Sequence, residues 1–197
     1  MINLWLRKIH WWIILLVAVL IGCGKPYITR TAKDAEFTPN SRIAVLPFDN
    51  LTSQDQVSAK VTELFQTLMT IRHTFRLAEA SQVQEALHRH RIRSAVLLSE
   101  AQMDTLAAEL NIQYIISGSV LEYTETDNAY LGKVPQVSFN SRMIDCRTKQ
   151  TVWTGVSNDS GDRKEILFGI GVTRSADELA RQMIESLVND IQRLFGK

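Results

Sequence analysis

The chain has 197 residues, with 22 Lys or Arg against 21 Asp or Glu and a formal net charge of +1. That length suits one domain. So close a balance speaks against a nucleic-acid binder, whose footprint is a strong basic excess.

The first element is a leader. Arg7 and Lys8 precede an apolar run from Ile9 to Ile21, broken only by His10. A charged entry, a short greasy middle and a small residue at the end make a secretory signal peptide. The run is too short to span a bilayer, which takes ~20 apolar residues. It ends in Leu20-Ile21-Gly22-Cys23, which resembles the lipobox of bacterial lipoproteins. The resemblance implies a cut between Gly22 and Cys23 and a diacylglycerol on the Cys23 sulfur. The residue types fit: Gly22 is the smallest residue, and a thiol is the best side-chain nucleophile for the lipid transfer. Gly24 follows, where Asp favours inner-membrane retention in Gram-negative lipoproteins. The outer membrane is therefore implied, with the body of the protein in the periplasm. The chain has two cysteines. With Cys23 acylated, Cys146 is left without a partner and no internal disulfide is expected.

Residues 23–41 are polar, carry Pro26 and Pro39, and read as a mobile tether. The folded domain is expected over 42–197. Arg42 to Phe48 is a short apolar run suited to a strand buried on both faces. Ser53 with Gln56 makes a capping box ahead of a helix with Val57, Val61, Leu64, Phe65, Leu68 and Met69 on one stripe. Phe75 to Ala78 is a second short strand. Ser81 is expected to cap a helix with Val83, Ala86 and Leu87 inward. Ser99 with Gln102 caps the next, and Asn111 closes it in the left-handed conformation. Tyr114 to Tyr123 is a long strand, in which Gly118 marks a close approach or a bulge.

Thr124 to Pro135 reads as a polar loop. Val137–Ile144 and Thr151–Val156 read as a hairpin closed by Asp145 to Gln150. Ser157 to Thr173 reads as a second loop. Ser175 with Glu178 opens a long helix with Leu179, Met183, Ile184, Leu187, Val188, Ile191, Leu194 and Phe195 inward. The order β-α-β-α-α-β-β-β-α predicts an α/β fold, one mixed sheet packed by amphipathic helices.

Three stretches belong together: Ile43 to Asn50, Tyr114 to Tyr123, and Arg142 to Trp153. With the lipobox, they resemble the CsgG-like curli-assembly lipoproteins and the related LpoB-type activators of penicillin-binding proteins. The resemblance implies a periplasmic domain of the anticodon-binding-like α/β type. Lys149 stands where that family's hairpin turn carries glycine. The secretion-channel members also insert two long hairpins into the membrane, one before the Val137 strand and one after the Trp153 strand. Each needs two strands of ~9–11 residues. Neither 124–135 nor 157–173 shows sustained alternation, so the domain is expected without the channel.

Enzyme signatures are absent from the sequence: no Gly-x-Ser-x-Gly, no phosphate-binding Gly-x-x-x-x-Gly-Lys, no His-Glu-x-x-His. Gly169-Ile-Gly171 is best read as a flexible loop. His88 and His90 lie two apart on a helix, face differently and suggest no metal site. Asp49, Asp145 and Cys146 are explained by turn chemistry and a spare thiol, with an envelope enzyme built on them as the alternative. Arg89, Arg91 and Arg93 cluster near a helix end, which the helix dipole favours; they are also candidates for partner contact. Trp153 is a further candidate. Its face is left open because Val152 and Val156 oppose it, and core packing is the default.

The sequence thus predicts a non-enzymatic accessory lipoprotein with no cofactor. Outer-membrane lipid holds it through Cys23, and an envelope protein is its partner. A homo-oligomer, including a secretion channel, is the alternative.

Overall fold

The computed structural model describes residues 27–33, 35, 37–38, 40–72, 75–165 and 169–195. The leader and the Gly22/Cys23 junction lie outside them. The elements are β1 (Tyr27–Thr31), β2 (Arg42–Val45), β3 (Asp49–Asn50), α1 (Val57–Ile71), β4 (Arg76–Leu77), α2 (Ala80–Arg89), α3 (Glu100–Leu110), β5 (Tyr114–Asn128), β6 (Gly132–Asp145), β7 (Thr151–Ser160) and α4 (Ala176–Phe195). The strands make one mixed sheet in the order β1-β7-β6-β5-β2-β4, with β3 pairing β5 just past β2. The strands from β5 to β1 pair antiparallel, and β2, β3 and β4 join in parallel.

The apolar run of β2 is buried on both faces, as its continuity predicts. Ile43 and Val45 face a core shared with α1 and α4, whereas Ala44 and Leu46 face a second core under α2 and α3. The helical stripes fall where their spacing places them. Val57, Val61, Phe65 and Met69 are buried on α1, and Leu179, Met183, Ile184, Leu187, Val188, Ile191 and Phe195 on α4.

Caps divide. The Ser99–Gln102 box is present in both halves, and Asn111 ends α3 at φ 49. The Ser53–Gln56 box does not form. Gln56 itself is the N-cap, at φ 66 and without a side-chain bond. Asn50 organises the preceding turn instead, accepting from the Thr52 N–H at 3.0 Å. Ser81 lies inside α2, whose N-cap is Glu79.

At α4 a carboxylate from the sheet does the capping. Glu125 accepts from the Ala176 N–H at 3.1 Å and from Lys133 Nζ at 3.2 Å. The Ala176 N–H, then Lys133, holds the Glu125 carboxyl below its usual range. The Tyr123 hydroxyl does the same for Asp177. Arg181 and then Gln182 hold Glu178 at about 2. Depressed carboxyls stabilise above their unfolded pKa near 4.5 and lose that contribution as pH falls toward 2. Helix content followed by circular dichroism should drop across that window, and Glu125→Gln should flatten the drop. A profile identical in the two proteins would contradict this.

Three expectations are corrected. The stretch read as a tether supplies β1, which pairs with β7 from Tyr27↔Ser157 to Thr31↔Trp153. The Phe37 ring packs 4.9 Å from that of Phe195 and 6.1 Å from that of Tyr114. The sheet thus begins at Tyr27, well ahead of Arg42. The expected 124–135 loop is a two-stranded ribbon, paired from Thr124↔Gln136 to Asn128↔Gly132. It extends beyond the last β6–β7 pair, Gln136↔Ser160, and its β5 half is polar, so no apolar alternation marks it. Finally, the expected 157–173 loop begins as strand, because β7 runs to Ser160.

Gly118 is a point of close approach. A Cβ there would lie 2.2 Å from the Asn140 carbonyl oxygen and 2.5 Å from the Phe48 ring. The β5 bulge falls further on, between Val120 and Glu122.

Candidate interaction surface

A cleft of about 620 Å³ opens where β2 leads into β3, walled by α2 and the segment after it. In sheets with parallel strands, the space beyond the strands' carboxyl ends is the usual binding position. Asp49, His88 and Arg93 line it, beside the apolar Leu51 and Ile92. Asp49 is already engaged. It accepts from the Ser94 hydroxyl at 2.5 Å and the Ala95 N–H at 3.3 Å, fixing the wall of the cleft.

The structure does not bring the two candidate acids together. Asp49 lies opposite Ser119 and Asp145 opposite Tyr114 on β5. Five residue steps put them roughly 17 Å apart along β5 alone, and they flank it on opposite sides, well beyond the ~5–9.5 Å of paired catalytic carboxylates. Asp145 serves its turn, accepting from the N–H groups of Arg147 at 2.7 Å and Thr148 at 3.2 Å. Lys149, standing where the family carries glycine, takes a positive φ of 61 in that turn. Cys146 is free and 4% exposed. Burial, followed by the nearby Asp145 and Asp104 against the opposing Lys149, pushes its thiol up to about 11. Native protein at pH 8 should therefore resist thiol reagents and react only on unfolding. Rapid stoichiometric labelling of the folded chain would contradict this.

The basic cluster separates into parts. Arg89 Nη2 binds Glu85 at 2.6 Å, and its Nη1 binds Glu109 at 2.6 Å, tying α2 to α3. His90 Nε2 joins at 2.7 Å from Glu109 Oε2. Its hydrogen bond is the first cause of the lowered Glu109 pKa, with Arg89 adding to it against desolvation. Arg91, at φ 54, and Arg93 are exposed. Neither makes an ion pair with a described residue. Arg89 is thus engaged within the domain, while Arg93 lines the cleft and Arg91 adjoins the lining residue Ile92 in the chain.

Trp153 takes the default place, in the core, and is not available for partner contact. It is 0% exposed, and its Nε1 donates to Asp190 Oδ2 at 2.9 Å. The alternation misleads because of a bulge: Met143 pairs Trp153 while Ile144 pairs Thr151, leaving Val152 as the extra residue. Val152 and Trp153 therefore join the same core. What sequence reasoning missed is the cleft itself, since Asp49 and Ser94 are 45 residues apart. Among the described residues no group of His, Cys, Asp and Glu is placed to hold a metal, and no helix is long and apolar enough to cross a membrane. The paired glycines of 169–171 form a turn, with φ 78 and 89.

A rigid α/β scaffold presenting an open cleft, exposed cations and a projecting ribbon is the architecture of an accessory binding domain. The chain belongs to the LpoB family of peptidoglycan-synthase activators, whose model matches residues 22–158. The family is one of regulators, acting in the cell envelope. No protein of curated function matches the chain. Solved structures share the fold. PelC of Paraburkholderia phytofirmans, a dodecamer, is 17% identical with a TM-score of 0.56, covering 84% of this chain and 97% of its own. Lipoprotein GNA1162 of Neisseria meningitidis is 18% identical with a TM-score of 0.53, covering 78% of this chain and 99% of its own. The LpoB side of the sequence resemblance is supported, and its curli-channel side receives no support.

Proposed function

We propose that this chain is a lipid-anchored factor that activates a peptidoglycan synthase, held by acyl chains on Cys23 to the outer membrane and facing the periplasm. One observation carries this: the family match runs from Gly22, at the expected cleavage site, through most of the sheet. The synthase would dock over the cleft, where Arg93 and the nearby Arg91 offer cations that pair with no described residue and Leu51, 65% exposed, offers apolar surface. Activation would come from binding a regulatory face of the synthase, with no covalent chemistry by this chain.

A photocrosslinker at Arg93 in intact cells should capture a peptidoglycan synthase. Arg91→Glu with Arg93→Glu should weaken that complex about tenfold or more, as charge reversal at a rim does, without lowering the melting temperature. Capture of no synthase, or capture unchanged by the double reversal, would sink the assignment. Self-association is the second reading: β1 is an edge strand among the described residues, and PelC assembles as a dodecamer on this fold. A single monomer mass in mild detergent would exclude it.

A further inference from the structure

The ribbon end of the domain carries exposed apolar side chains with no assigned role. Tyr130 is 96% exposed at the β5–β6 turn, and Ile170 is 64% exposed in the 169–171 turn. The two turns are neighbours: the vacant Cβ position of Gly169 lies 3.9 Å from Leu131 Cδ2 and 3.5 Å from Arg174 Nη2. The tip is held in shape by Asn128, whose Oδ1 accepts from the N–H groups of Tyr130 at 2.9 Å and Leu131 at 3.1 Å. Exposed Arg174 and Lys133 flank it. An aromatic, two aliphatics and flanking cations suit the boundary between water and lipid.

Strand direction decides what meets this end. Tyr27 pairs with Ser157, and Ser157 with Phe139. Followed backward to Tyr27, β1 points the same way as β6 followed from Phe139 back to the tip, since both pair antiparallel with β7. Four residues separate Tyr27 from Cys23, a reach of at most ~14 Å. Eight residues separate Phe139 from Leu131, or about 26 Å of strand. The ribbon therefore reaches farther toward the anchored end than the chain carrying the anchor.

We infer that the ribbon tip and the 169–171 turn rest on the lipid surface, with Tyr130, Leu131 and Ile170 entering the headgroup region as a second, non-covalent foothold. This rests on the Cys23 anchor proposed above. It orients the domain: because the tip projects about 12 Å farther than Cys23 can reach, the sheet leans so that both the tip and Cys23 meet the surface, with the β6–β7 turn pointing away from the membrane.

The test uses processed, acylated protein in phosphatidylethanolamine–phosphatidylglycerol vesicles whose acyl chains are brominated. Tyr130→Trp places a fluorophore at the tip, and Thr148→Trp places one at the opposite end; unmodified protein supplies the Trp153 background. Bromine should quench most of the emission added at position 130 and leave that added at 148 unchanged. Protein that floats with the vesicles yet shows no quenching at 130 overturns the inference and spares the anchor. A blue shift at 130 without quenching means contact with protein, a second copy included, and also overturns it. Failure to float overturns the anchor, and this inference with it.

Discussion

Trp153→Ala should lower the stability of the domain by about 3–5 kcal/mol, the usual range for removing a large buried aromatic. For a domain of this size that is a fall in melting temperature of roughly 6–20 °C. The ring has no exposed surface and sits among the largest fully buried side chains. Its space is made by the sequence: a Cβ on Gly155 would fall 2.6 Å from the Trp153 ring and 2.9 Å from Leu187. The substitution leaves a cavity between β7 and α4 and also strips the Asp190 carboxylate of its indole donor. Trp153→Phe keeps most of the packing and loses that bond, so a cost nearer 1–2 kcal/mol is expected. Because β1 hangs on β7, Trp153→Ala should also loosen the edge strand next to the proposed anchor, visible as faster amide exchange at Arg30 and Ala32, whose N–H groups face β7. Thermal melts showing under 1 kcal/mol lost would contradict a core role.

Cys23→Ser should remove the protein from the membrane fraction, or leave it unprocessed with its leader. A hydroxyl at neutral pH lacks the thiolate fraction that makes a cysteine nucleophilic. Acyl chains supply about 0.8 kcal/mol per buried methylene, and stable anchoring takes more than one chain or an added surface contact. The three apolar side chains of the ribbon end are too few to replace them. Fractionation with intact mass of the N-terminus reads both outcomes. A serine variant that is fully processed and still membrane-bound would contradict the anchor.

What the sequence disclosed was local chemistry. The both-face burial of β2, the Ser99–Gln102 box, the left-handed Asn111 and the apolar stripe of α4 each depend on residues within a few positions. What it hid depends on partners far along the chain. Residues 27–31 alternate, with Ile28 on the exposed side at 77%, and only the edge of β7 makes them a strand. In the ribbon only the β5 half, Thr124 to Asn128, is polar throughout, while Val134 and Pro135 are buried on β6 as adjacent residues, so no two-residue period shows. The Val152 bulge put Trp153 out of phase with its own strand. Of the proposed interface, the cationic run was visible; that Arg89 is spent on Glu85 and Glu109, leaving Arg91 and Arg93, required the α2–α3 packing. Asp49 looked like a candidate acid until Ser94, from another part of the chain, was found on it.

The most direct measurement is glycan-strand synthesis by a purified peptidoglycan synthase in vesicles, with and without this lipoprotein in the same bilayer. The account predicts a faster rate with the wild-type chain and the basal rate with Arg91→Glu and Arg93→Glu combined. An unchanged rate while the wild-type chain is demonstrably bound to the synthase would contradict it.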